Sequence, residues 1–428
     1  MSVSHEKCVI GTILFSGHYF GHKPSVFLEI GGFLLYIKAE YRKKQKGAYI
    51  MQRCEDSYYV TFSSYLGLLD FHQEQAKGSQ WTRCQVNKLG VEPLDEASPL
   101  YGSLGAFAAG TTTEAVEDTA KNLGLAIRVN GELYPVRMTA YKSLLDRAKI
   151  GGTALPKLPR AILAETLNAC LQLYSSDALV LIRDEKVSAV HSGDEVDYSI
   201  LPIDALIETL KKKLDERFPG NVFETGYADH SMTGASWKMP NQKEDLLGTY
   251  AKTIAAMGQS RLADKLVPGI RFMTSDTGIA SAKVSAILFG TQHPIHIGGC
   301  ISVDHRHGKK VSDFDTELDQ LFAQFGKSMK QLEKLLSIKL DYPINAMTRV
   351  CKKLSMPKKA AVEAIAMFKM SCGETATAHD VFMAMQEIPY NLKLEGTPES
   401  KMLAVEENMA RALTLNWREY DLATEVNY

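Results

Sequence analysis

Residues 269–310 read "GIRFMTSDTGIASAKVSAILFGTQHPIHIGGCISVDHRHGKK", and the fold turns on how many strands this stretch makes. β-branched and aromatic runs on either side of "SDTGIAS" predict two strands joined by a hydroxyl-rich turn. "HPIHIGGCISV" continues the sheet. Taken as a two-residue turn, Gly298-Gly299 makes it a hairpin that pairs Ile297 with Cys300, His296 with Ile301 and His293 with Asp304. The stretch from 293 to 310 also holds four of the chain's eleven histidines.

That histidine density raises three chemistries. Zinc needs three or four donors at about 2.0–2.3 Å from one ion. His305 and His307, two apart on a strand, could share one. His296 pairs four residues before His305, a gap of about 13 Å at ~3.3 Å per residue. Only a bulge at the glycines would bring more than two histidines together, so no metal or other cofactor is expected. For a polyanion, "DHRHGKK" leads from a strand end into a helix N-terminus, offering backbone N–H groups with Arg306, Lys309 and Lys310. His305 and His307, with Lys283 and Arg271 from the neighbouring strands, complete a surface suited to single-stranded nucleic acid. The third possibility is a solvated strand end.

Working outward, a helix is expected over about 313–336. Phe314, Leu318, Leu321, Phe322, Phe325, Met329, Leu332 and Leu335 make an unbroken 3–4 pattern, with Ser312 as cap. From 343 onward the pattern is helical. "INAMTRVCKKLSMPKKAAVEAIAMF" has nearly the length of a helix-turn-helix, but its second half is apolar and small, which suits packing between helices rather than base reading. Upstream, two-residue turns are expected at Asn130-Gly131 and at Asp184-Glu185. A helix following Pro202 carries the stripe Ile203, Leu206, Ile207, Leu210 and Leu214. Residues 1 to about 138 read mostly as strands, including "KCVIGTILF", "SVFLEI", "FLLYIKAEY" and "SYYVTFSSYL", with a turn at Gly31-Gly32.

With 428 residues the chain exceeds one ordinary core. The expected class is α+β, with an N-terminal β-rich domain (1–138), a helix and linker (139–160), a central mixed α/β sheet domain (161–342) and a C-terminal helical segment (343–428). The net charge of -1 conceals an asymmetry. Residues 265–370 carry 16 Lys and Arg against 9 Asp and Glu, whereas 371–428 carry 4 against 10. Such a division points either to a polyanion-binding surface or to the tail pairing with that surface.

Seven scattered cysteines without a C-x-x-C pair, and an opening "MSVSHEKCVIGTILF" without a long apolar core, predict reduced thiols in a cytoplasmic protein. "IGGFLLYI" and similar stretches fall short of the ~20 residues a membrane span needs. The P-loop, G-x-S-x-G and H-E-x-x-H motifs are missing from the sequence.

Several stretches in order carry a resemblance: "KVSAVHSGDEVDYSILP", "TSDTGIASAKVSAILFG", a segment ending "DHRHG" before a long helix, "GETATAHDVFMAMQEIPYN" and "EENMARALTLNW". Over about residues 160–420 the chain resembles the phage/plasmid-like proteins of unknown function, although "HPIHIGGCISV" stands where many members have an arginine-cysteine-asparagine-glycine strand. The resemblance transfers no catalytic residue. It implies a mobile element in a bacterial host cell, and with it non-catalytic nucleic-acid binding, most simply to single strands, in replication or recombination. Two rivals remain. One is a metal-assisted hydrolase or nuclease using His305, His307, Asp304 and Asp276. The other is an assembly or virion-associated protein, a homo-oligomer whose acidic tail docks on a neighbour's basic helices.

Overall fold

Five consecutive strands between residues 222 and 303 run antiparallel to their neighbours and organise the α+β fold. A computed structural model describes residues 26–30, 33–37, 53–291, 293–373 and 376–428. Strands β1 (Val26–Ile30) and β2 (Phe33–Ile37) form an antiparallel pair, with Ile30 opposite Phe33. Their turn glycines and the expected strand "KCVIGTILF" lie outside the described residues. Residues 51–428 make one compact unit and 1–50 another.

In the larger unit, β3 (Tyr59–Phe62), β10 (Val222–Asp229), β11 (Thr233–Lys238), β12 (Val267–Thr274), β13 (Ala282–Phe289) and β14 (Ile295–Val303) form a six-stranded sheet in the order β14-β13-β12-β11-β10-β3. Two three-stranded sheets belong to the same unit. One is β4 (Ser79–Gln85), β8 (Asp177–Arg183) and β9 (Lys186–Ser192); the other is β5 (Gly90–Pro93), β6 (Leu125–Val129) and β7 (Glu132–Pro135). The Asn130-Gly131 and Asp184-Glu185 turns form as expected. All four residues have positive φ, as a tight turn matched to strand twist requires.

Residues 139–160 do not separate two bodies. β3 pairs with β10 and β4 pairs with β8, so chain from ahead of the expected linker supplies strands to sheets beyond it. A buried ion cluster adds to the joint. Arg137 and Lys186, both inaccessible to solvent, meet Asp56 at 3.2 and 3.3 Å, and Lys186 also meets Asp118 at 2.5 Å. Charges removed from water persist only when paired this closely.

The principal core lies between the six-stranded sheet and the helices. Trp237 and Phe272 from the sheet meet Leu206 and Leu210 of helix Ile203–Arg217, Phe314, Leu332, Phe382 and Trp417. Ile203, Leu206, Ile207, Leu210 and Leu214 are all buried, as their spacing predicts. The expected helix over 313–336 is two, Val311–Leu318 and Leu321–Leu335, with the break at residues 319–320. Asp319 there bonds Lys213 of the neighbouring helix at 2.8 Å. Ala360, Ala361, Ala364 and Phe368 of helix Lys358–Ser371 are buried, which assigns that apolar face to packing.

The largest departure from expectation is β14. It is one strand against β13 rather than a hairpin at Gly298-Gly299. Its register slips between the pairs Val284–Ile301 and Ala286–Gly298, and again before Ile287–His296. Gly298, with φ of 77°, absorbs the extra chain. A glycine pair is as able to form a bulge as a turn, because both need left-handed backbone.

Candidate functional site

The loop between β12 and β13 is a knot of hydroxyls. Ser275 Oγ donates to the Ser231 carbonyl at 2.5 Å and accepts from the backbone N–H of Thr277 and Ile279. Thr277 Oγ1 donates to the same Ser231 carbonyl at 3.0 Å. This fixes Asp276, whose buried carboxylate grips Arg183 through both oxygens, one of them 3.1 Å from Nη1. Burial pushes the Asp276 carboxyl up, but the charge and hydrogen bonds of Arg183 outweigh it and hold it below the usual carboxylate range. Arg183 Nε in turn donates to Ser79 Oγ at 2.9 Å.

The Asp276 carbonyl accepts two further bonds, from His191 Nε2 at 2.9 Å and from the Tyr198 hydroxyl at 2.8 Å. Those rings lie parallel with centroids 3.6 Å apart, and the His305 ring follows 5.6 Å beyond Tyr198. Burial pushes His191 down to about 4, so it is neutral near pH 7. His191 then donates through Nε2 and keeps a lone pair on Nδ1. Burial also lowers His305. Its Nε2 stands 3.4 Å from Thr274 Oγ1.

These rings line a cavity of about 740 Å³. One wall is helix Ala140–Ala148 with Lys149, and the other is Asp304, His305 and Arg306. Lys142, Arg147, Lys149 and Arg306 all line it, and none forms an ion pair among the described residues. Asp146, Asp197 and Asp304 share the rim.

The turn after β14 differs in one respect from expectation. Its backbone donors are not free for an anion. His307 N–H goes to the Val196 carbonyl, Gly308 N–H to that of Glu195, Lys309 N–H to that of Arg306, and Lys310 N–H to Asp313 Oδ2 at 2.7 Å. Arg306, His307, Lys309 and Lys310 remain exposed as side chains, with Lys309 3.5 Å from Asp313. These four N–H groups are therefore not available to an anion.

Arg271 and Lys283 are not part of this surface. Arg271 sits largely buried under the C-terminal helix Glu399–Arg411, bonded to Glu406 at 2.8 Å and Glu399 at 2.9 Å. Lys283 meets Glu407 at 2.6 Å. Glu406 also receives His293 and His296, each at 3.3 Å. Burial alone would raise the Glu406 carboxyl; Arg271 and the two histidines reverse that and hold it far below its usual range. Of the two explanations for the charge asymmetry, pairing with the tail is what the structure shows at these positions, within one chain.

The donors suggested for a metal are dispersed. Asp276 is engaged by Arg183, His307 lies out on the turn, and among the described residues no three His, Cys, Asp or Glu side chains gather as a metal site would need. Helix Ala140–Ala148 is the helix expected in 139–160, but its cations were not read as part of a site. Its available signal was Lys142 and Lys149, seven residues and about two turns apart. No protein-family model, curated protein or solved structure matches the chain. Among the described residues no helix is long and apolar enough to cross a membrane.

Proposed function

We propose that the protein binds single-stranded nucleic acid without catalysing a reaction on it. What carries this reading is the convergence of Lys142, Arg147, Lys149 and Arg306 on one cavity, where none of them forms an ion pair among the described residues although Asp146, Asp197 and Asp304 share the rim. Unpaired cations at a concave site attract phosphates and release their counterions, which is the main source of nucleic-acid affinity. A concavity of about 740 Å³ admits an unpaired, splayed nucleotide rather than a duplex, so the strand is single. Exposed Lys309 and Lys310 extend the positive surface along the turn. Arg271 and Lys283, neutralised by the tail, secure the helix above the sheet instead. The resemblance read from the sequence to phage/plasmid-like proteins is what suggests replication or recombination of a mobile element as the setting.

The test is fluorescence-anisotropy titration of single- and double-stranded oligonucleotides at two salt concentrations, for wild type and the Arg147→Ala/Arg306→Ala variant. The expected result is preference for the single strand, steep loss with salt and a salt slope shallower by about 2 in the variant, roughly one per phosphate contact removed. No binding at low salt would overturn the proposal.

A further inference from the structure

The cavity is equipped for more than a passing backbone. Besides the four cations it presents three carboxylates, and His305, 6% exposed, forms part of its lining.

The charges say which ligand. Four unpaired cations suit a phosphate, but Asp146, Asp197 and Asp304 beside them also lack ion pairs among the described residues. Inorganic phosphate would use the first set and leave the second idle. A nucleotide uses both, because base amino and ring N–H groups donate to carboxylates while the phosphate meets the cations. His191, Tyr198 and Thr277 line the cavity as well. A terminal phosphate monoester, with a second pKa near 6, carries nearly twice the charge of an internal diester at pH 7.

We infer that this cavity is a pocket for a nucleoside phosphate monoester, presented either as the phosphorylated end of a single strand or as a free mononucleotide. The inference rests on the proposed function for its first source only.

The experiment uses the full chain and one oligonucleotide sequence in four forms: 5′-phosphorylated, 3′-phosphorylated, hydroxyl-ended and circular. AMP, adenosine and inorganic phosphate serve as competitors. The expected result is at least tenfold tighter binding of one phosphorylated form than of the hydroxyl-ended or circular strand. AMP should compete and adenosine should not. Arg147→Gln should reduce the phosphorylated-to-hydroxyl ratio toward one. Should that variant fold poorly, Lys142→Ala on the exposed side of the same helix should reduce the ratio severalfold. Equal binding of all four strands, with no competition by AMP, would overturn the pocket while leaving strand binding intact. Binding of AMP without any strand would support the pocket for the free mononucleotide and overturn the proposed function. If neither AMP nor any strand binds, both are overturned.

Discussion

The two ends of residues 293–310 each carry a pair of histidines and have opposite fates. At one end His293 and His296 are closed under helix Glu399–Arg411 and share Glu406 with Arg271. At the other, Arg306, His307, Lys309 and Lys310 stand in solvent, and Arg306 has no carboxylate partner among the described residues. A bulged strand separates a structural lock from an open cationic rim. The lesson is that a cluster of basic residues is not yet a binding surface. What decides is whether the chain returns with counter-charges, and residues 399–407 return to only one end.

The strongest way to break this comparison is Glu406→Ala. It would leave Arg271 buried without its main partner, and stranding one member of a buried pair typically costs about 3–5 kcal/mol. Arg306→Ala, on the exposed rim, should move stability by no more than about 0.5 kcal/mol. Urea denaturation of both variants compares the ends directly. Similar losses in the two would mean that the lock is no lock.

Acid tests the same end with a smaller effect. Burial pushes His296 down to about 4, with Glu406 opposing and Arg271 and His293 assisting. His191, near the cavity, is lowered to the same value by burial. A histidine whose folded pKa lies below its unfolded value of about 6.5 takes up protons on unfolding, so stability falls as pH drops from there toward 4. The loss is at most a few kcal/mol per histidine. Measuring unfolding free energy between pH 4.5 and 7 stays above most carboxylate titrations. His296→Gln, which keeps a polar side chain, should flatten the curve; an unchanged slope would remove His296 as a cause.

Much of the local structure was legible because local chemistry dictates it. Asn130-Gly131 and Asp184-Glu185 occupy positive-φ turns that few residue pairs tolerate, and the stripe from Ile203 to Leu214 can be buried only as a helix. Gly298-Gly299 failed as a turn signal because glycine licenses a conformation without choosing between turn and bulge. The pairing of β3 with β10 spans more than 150 residues, and nothing near Tyr59 encodes its partner. The cavity was half visible. Arg306 and His305 belong to a conspicuous run, whereas Arg147, His191 and Tyr198 join them only through the fold. Arg271 and Lys283 were legible as cations, but their counter-charges lie about 120–135 residues away.

At the open end the expected effects concern binding rather than stability. Arg306 has an unpaired guanidinium at the cavity wall, so Arg306→Ala should weaken a single-stranded oligonucleotide about tenfold at low salt and make the salt slope shallower by about 1. Hydrogen-bonding anions prefer the planar fork of arginine, so Arg306→Lys should restore the slope but only part of the affinity. A slope that stays shallow with lysine would mean Arg306 acts by shape and not by charge.

Lys309 should give the smallest effect, for the reason that distinguishes the two ends. Its ammonium already has Asp313 at 3.5 Å, an exposed pair contributing at most about 1 kcal/mol to stability. A phosphate must compete with that carboxylate, so Lys309→Ala should weaken strand binding by only about two- to threefold, well below Arg306→Ala. Asp313→Asn sharpens the point. It releases Lys309 while keeping an amide oxygen to accept the Lys310 N–H that caps helix Val311–Leu318. Binding should then tighten, and Lys309→Ala made in that background should cost more than it does in the wild type. If the two cost the same, local pairing with Asp313 is not what restrains this lysine, and the same principle would be weakened for Arg271 and Lys283 at the closed end.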